Sequence, residues 1–182
     1  MTVFVAFLRG INLAGKKPVP MADLRRMADG LGLENTRTLL QSGNLLFDAA
    51  AQEGAQLEQH LEEAAKEVLG LKTDFMVRDA GELQQAVDSN PFPEAAHDVP
   101  GHLVLSLLKA IPAPGSLERL RSAIVGREIV DLRGRELYII YPDGIGRSKL
   151  TSALMDRQLG TRGTGRNWNT ILKLSKLLDD QA

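Results

Sequence analysis

Four stretches of this 182-residue chain set lysine or arginine among glycines and short polar side chains. With these residue types a backbone can approach a phosphate or carboxylate closely while a cation neutralises it. The first, Gly10-Ile11-Asn12-Leu13-Ala14-Gly15-Lys16-Lys17, follows Arg9 and comes within one residue of the nucleotide phosphate-binding pattern G-x-x-x-x-G-K-[ST]. It lacks the Ser or Thr that would hold magnesium, and Pro18 and Pro20 break the helix that should begin at the lysine. The expectation is a basic loop able to meet an anion, not a nucleotide hydrolase. The second is the turn Gln41-Ser42-Gly43-Asn44. The third, Pro142-Asp143-Gly144-Ile145-Gly146-Arg147-Ser148-Lys149, joins a strand to a helix, with Ser148 read as the helix cap. The fourth, Thr161 to Thr170, contains Arg166 and Asn167 before a helix, with Asn167 or Thr164 as its cap and Trp168 as a core anchor. The candidate ligand-binding residues are thus Arg9, Asn12, Lys16, Ser42, Asn44, Arg147, Ser148, Lys149, Arg166 and Asn167. As caps and turns alone, the same residues need no ligand.

Other chemistries find less support. There is no cysteine, so disulfides, thiolate metal sites and a cysteine nucleophile are excluded. His60, His97 and His102 make no zinc or facial-triad spacing, and no metal site is expected. There is no G-x-S-x-G, Ser42 has no histidine identifiable as its base, and Asp23, Asp48 and Asp143 cannot be paired by spacing. No catalytic residue and no cofactor is assigned.

The elements that must position these loops read as follows. Val3 to Leu8 is an unbroken apolar run, which fits a strand buried on both faces. Met21, Leu24, Met27, Ala28 and Leu31 recur at helical spacing after Pro20, and Gly32 closes that helix. Thr36 to Leu40 and Leu45 to Phe47 flank the turn at Ser42 to Asn44 as a hairpin. Leu57, Leu61, Ala64, Ala65 and Val68 mark a second helix stopped by Gly70, with Glu58, Glu62, Glu63 and Glu67 on its outer face. Lys72 to Arg78 is the fourth strand. Asp79 with Glu82 forms a capping box for a helix that ends before Asn90-Pro91-Phe92-Pro93. Then follow a strand from His102 to Leu108, a helix capped by Ser116 and ended by Gly126, and a hairpin of Ile129 to Leu132 with Glu136 to Tyr141. A helix carrying Leu150, Ala153 and Leu154 comes next, and a last one from about Asn167 to Leu178 places Trp168, Ile171, Leu172, Ser175 and Leu178 on one face.

The predicted fold is α+β, two ferredoxin-like halves of βαββαβ type, the second ending in a C-terminal helix instead of a last strand. The expected organisation is 1–79, a linking helix and Pro-rich loop at 80–101, and 102–182. One continuous α+β domain is the alternative.

Five of these segments, Phe7-Leu8-Arg9-Gly10-Ile11-Asn12 with Gly15-Lys16, Gln41-Ser42-Gly43-Asn44, Asn90-Pro91-Phe92-Pro93, Tyr141 to Leu150 and Arg166 to Thr170, together resemble the bacterial family called domain of unknown function 1697 (DUF1697). The resemblance runs almost end to end and implies an α/β protein with ferredoxin-like elements and no established activity. Ala14 stands where the family often has glycine.

Charge bears on partners. The net charge is −1, but residues 48–98 are strongly acidic and residues 133–176 basic. A small anionic ligand is expected at the glycine and arginine loops. Nucleic acid is the alternative partner, suggested by the basic stretch and by the use of ferredoxin-like sheets in RNA recognition. Only 5 Phe, 2 Tyr and 1 Trp are available for base stacking, which weighs against it. A structural or regulatory protein without a ligand is the third reading. No segment approaches a membrane span, the N-terminal apolar run reads as a strand rather than a signal peptide, and a cytoplasmic location is expected. The sequence does not specify an oligomeric state.

Overall fold

A computed structural model of the chain describes residues 1–16 and 18–180. It divides into two compact units, one of residues 1–84 with the chain from Leu174 onward, the other of residues 85–173.

In the first unit, strands β1 (Thr2–Leu8), β2 (Glu34–Leu39), β3 (Asn44–Ala49) and β4 (Phe75–Asp79) form an antiparallel sheet, sheet A, in the order β2-β3-β1-β4. The apolar run of β1 is buried from Phe4 through Leu8, as expected of a central strand covered on both faces. Helices α1 (Met21–Gly30) and α2 (Gly54–Leu69) cover the face that carries Phe4, Ala6, Leu8, Leu45, Phe47, Phe75 and Val77. They bring Leu24, Met27, Leu57 and Leu61 into one core, where each fully buried Leu or Phe stabilises by about 1.5–3 kcal/mol. The hairpin is as expected, with Thr38 opposite Leu45 and Leu39 opposite Asn44.

Glu58 does not lie on an outer face. It is 4% exposed, and its Oε1 accepts from the Val77 amide at 2.8 Å. Glu62 Oε1 accepts from Phe75 N at 2.9 Å. In the capping box, Glu82 accepts from Asp79 N at 3.0 Å while Asp79 Oδ1 accepts from Glu82 N at 2.8 Å. The N–H groups of β4 that point away from β1 are thus each taken by a glutamate. The helix so capped is α3 (Ala80–Asp88). A short helix not anticipated, α4 (Pro93–Asp98), begins on Pro93, whose missing N–H costs nothing at a first helical position.

The second unit repeats the plan. Strands β5 (Leu103–Leu108), β6 (Ile129–Arg133), β7 (Glu136–Ile140) and β8 (Gly163–Asn167) form sheet B in the order β6-β7-β5-β8. Helices α5 (Ser116–Ala123) and α6 (Ser152–Leu159) contribute Leu120 and Leu159 to its core. The two ferredoxin-like halves are therefore present, and the second has a fourth strand as well as its C-terminal helix α7 (Trp168–Asp179). The sequence Gly163-Thr164-Gly165-Arg166-Asn167 is β8, antiparallel to β5 with Leu105 opposite Arg166.

Local expectations on three helices need correction. Ser116 does not cap α5: Gly115, at φ 82, makes the turn, and Ser116 is buried as the first helical residue. The helix stops at Ala123 because Ile124 is extended, before Gly126 is reached. Ser148 does not cap α6, whose N-terminus is capped by Thr151 accepting from Leu154 N at 3.2 Å, so Leu150 precedes the helix. On α7, Leu174 is buried in place of Leu172, while Trp168 is 3% exposed, its ring 6.4 Å from that of Tyr138.

Candidate functional site

In the first unit the loop after β1 packs on the β2–β3 turn. Gly43 lies at φ 81, and a Cβ there would stand 2.6 Å from Ile11 Cδ1, so only glycine permits this approach. Asn12, itself at φ 52, fastens the two segments: its Nδ2 donates to Gln41 O at 2.7 Å and to Val19 O at 3.2 Å, while its Oδ1 accepts from Val19 N at 2.6 Å. Asn44 is buried and donates to Leu39 O at 2.7 Å and to Ser42 Oγ at 3.2 Å. Asn12, Ser42 and Asn44 therefore meet at one end of sheet A. Arg9 is held there through its backbone, its N–H donating to Asp74 O at 3.0 Å and its carbonyl accepting from Thr73 Oγ1. Lys16 is exposed and folds back so that Nζ donates to Gly10 O at 3.0 Å. Helix α1 does not start until Met21, so no helix N-terminus follows the lysine as a nucleotide-binding loop requires. Lys17, the last residue of that pattern, lies outside the described residues.

In the second unit the β6–β7 ladder aligns Ile129 with Ile140 and so brings residues 127 and 128 beside the loop that leaves β7. Arg127 forms a two-pronged ion pair with Asp143, and Ser148 donates to Glu128 while its Oγ accepts from Leu150 N at 3.0 Å. Arg127, Arg147 and His102 all favour the ionised form of Asp143, the Arg127 hydrogen bond most strongly, and hold this carboxyl below its usual range. Tyr141 opens the loop with its amide on His102 O at 2.9 Å. Burial first, then Glu128, pushes its hydroxyl up to about 12. Asn167, at the same end of sheet B, donates to Gly101 O at 3.0 Å and accepts from Asn169 N at 3.0 Å. Arg147 and Lys149 are exposed and form no ion pair among the described residues.

Arg166 is placed differently. Its side chain lies on the face of sheet B that carries Leu105 and Tyr138, opposite the face covered by α5 and α6, and is 7% exposed. The guanidinium donates to Thr164 Oγ1 at 2.8 Å and to Gly165 O at 2.9 Å, and burial pushes its pKa down to about 10. The glycines beside it serve packing: a Cβ on Gly163 would lie 2.6 Å from Leu108 Cδ2, and one on Gly165 would lie 3.0 Å from Val104 Cγ1.

Sequence reasoning missed Arg127, Glu128 and His102 as members of the second-unit cluster. Sixteen residues separate Arg127 from Asp143, and only the hairpin register brings them together. Among the described residues no group of three His, Asp or Glu side chains is arranged to hold a metal ion.

The family model described as protein of unknown function (DUF1697) matches residues 1–138. The chain belongs to this family. The solved structure of conserved bacterial protein SP0830 from Streptococcus pneumoniae is similar over 98% of this chain and 99% of that one, with a TM-score of 0.79 at 20% identity, a likeness of fold. No curated protein matches the chain. No helix among the described residues is long and apolar enough to cross a membrane.

Proposed function

We propose that this DUF1697 protein binds a small phosphate- or carboxylate-bearing ligand on the loop from Pro142 to Lys149. The observation that carries the reading is the excess of cations there. Asp143 is already paired with Arg127, and His102 and Arg147 also favour its ionised form, whereas Arg147 and Lys149 themselves form no ion pair among the described residues. Elsewhere on the surface Arg26, Arg121 and Arg133 each find a carboxylate. Cations left unmatched around one loop repel one another until an anion joins them, and an arginine fork beside a lysine suits a phosphate or carboxylate. Asn167 and Ser148 act by holding the surrounding backbone. In the first unit, taken by itself, Asn12, Ser42 and Asn44 fix the loop that carries Arg9 and Lys16, and in the second Arg166 is the buried support of β8.

A thermal-shift titration with inorganic phosphate and with citrate, at ionic strength matched by chloride, tests it. The melting temperature should rise with ligand concentration. The double variant Arg147→Ala/Lys149→Ala should lose the rise while melting at the wild-type temperature without ligand. An equal rise in the double variant, or none in the wild type, refutes the reading.

A further inference from the structure

Strand β2 is an edge of sheet A, and its pairing with β3 shifts register between Glu34 and Arg37, so Asn35 and Thr36 form a bulge. Asn35 sits at φ 51 and turns its amide onto Asp48, Nδ2 donating to Oδ2 at 2.6 Å. The other oxygen, Oδ1, is shielded from solvent and meets no donor among the described residues. A shielded acceptor without a donor is a costly state for a carboxylate. Arg37 lies opposite Leu46, two residues before Asp48, so Arg37 and Asp48 point to the same face of the sheet in diagonal positions, typically about 7–8 Å apart. Opposite charges this close would ordinarily join. Here the bulge stands between them, and Arg37 forms no ion pair among the described residues. Asn35, Thr36, Arg37 and Asp48 line an open cleft of about 470 Å³.

From this juxtaposition we propose a second binding site, independent of the loop from Pro142 to Lys149, that takes a small zwitterion of the free α-amino acid class. The ammonium donates to Asp48 and supplies the hydrogen bond that Oδ1 lacks, a small turn of the carboxylate about its broad terminal torsion bringing the oxygen to the ligand. The ligand carboxylate lies against the Arg37 guanidinium, which can grip it with two parallel hydrogen bonds. Glu34, paired with Asp48 across the strands, sets the polarity, because its negative charge favours the ammonium at that end. A simple amine leaves Arg37 unmatched, and a simple carboxylate leaves Asp48 unmatched, so neither half alone satisfies the cleft.

The test is thermal shift and calorimetric titration of the full chain with glycine and each of the common L-amino acids, beside ethylamine and acetate at equal ionic strength. At least one amino acid should raise the melting temperature in a saturable way, whereas ethylamine and acetate should not. Asp48→Asn and Arg37→Ala should each abolish that rise. Arg37 is exposed, so its variant remains informative even where Asp48→Asn lowers stability. The double variant Arg147→Ala/Lys149→Ala should keep the response to the amino acid, which separates this site from the one proposed above. Absence of any response to the amino acids, a response retained in Arg37→Ala, or an equal response to acetate would overturn the proposal.

Discussion

The fourth strands of the two halves, β4 and β8, share a backbone plan and are filled in opposite ways. In register they correspond residue for residue, since Val5 lies opposite Arg78 and Leu105 opposite Arg166. Each arginine is buried and donates to the carbonyl of the residue before it, Val77 O or Gly165 O, at 2.9 Å. Each is followed by an Asp or Asn whose side chain caps the next helix. On the opposite face β4 presents Phe75 and Val77 to the sixteen-residue helix α2, whereas β8 presents Gly163 and Gly165 near the eight-residue α6. Val104, Ser106 and Leu108 of the neighbouring strand lean into the space the glycines leave. The same architecture thus tolerates large-on-small or small-on-large filling, provided the total volume is kept.

Three substitutions and one control probe this comparison. Trp168, where the second half turns from β8 into α7, stands at the position of Ala80 in the first half. Trp168→Ala should cost roughly 3–5 kcal/mol in denaturant unfolding, and a cost below about 1 kcal/mol would show that the second half does not lean on its aromatic anchor. Gly163→Ala should cost about 1–3 kcal/mol, because the new Cβ meets Leu108, Ser106 and Leu107. Gly146→Ala, where a Cβ would meet nothing within 4 Å, is the control and should stay within about 0.5 kcal/mol of wild type. Thr151→Ala should cost about 1 kcal/mol, since α6 is short and has a side-chain cap where α2 has none. A loss of helical signal confined to a small amplitude would accompany it in circular dichroism.

What the sequence made legible follows the range of the forces involved. The buried run of β1, the hairpin around Gly43 and the Asp79/Glu82 capping box depend on neighbours a few residues away and could be read directly. The strand β8 could not, because glycines chosen for close packing against Val104 and Leu108 look, in one dimension, like the glycines of a loop. Glu58 was misplaced for a related reason. Helical phase puts it at the border of the apolar stripe, and the acceptor needed by Val77 N belongs to a strand nineteen residues later. At the candidate site, the basic character of Arg147 and Lys149 was legible, but the Arg127–Asp143 pair depends on a cross-strand register that composition and spacing do not encode.

The glutamates on β4 have a bearing on assembly. A sheet ordinarily grows at its borders, where unpaired amides invite another strand. Sheet A refuses growth on both sides by different means: at β4 the outward amides are already occupied by Glu62, Glu58 and Glu82, and at β2 the bulge interrupts the row of donors and acceptors that an incoming strand would have to match. The four-stranded width of the first unit is therefore self-limiting, fixed by its own side chains.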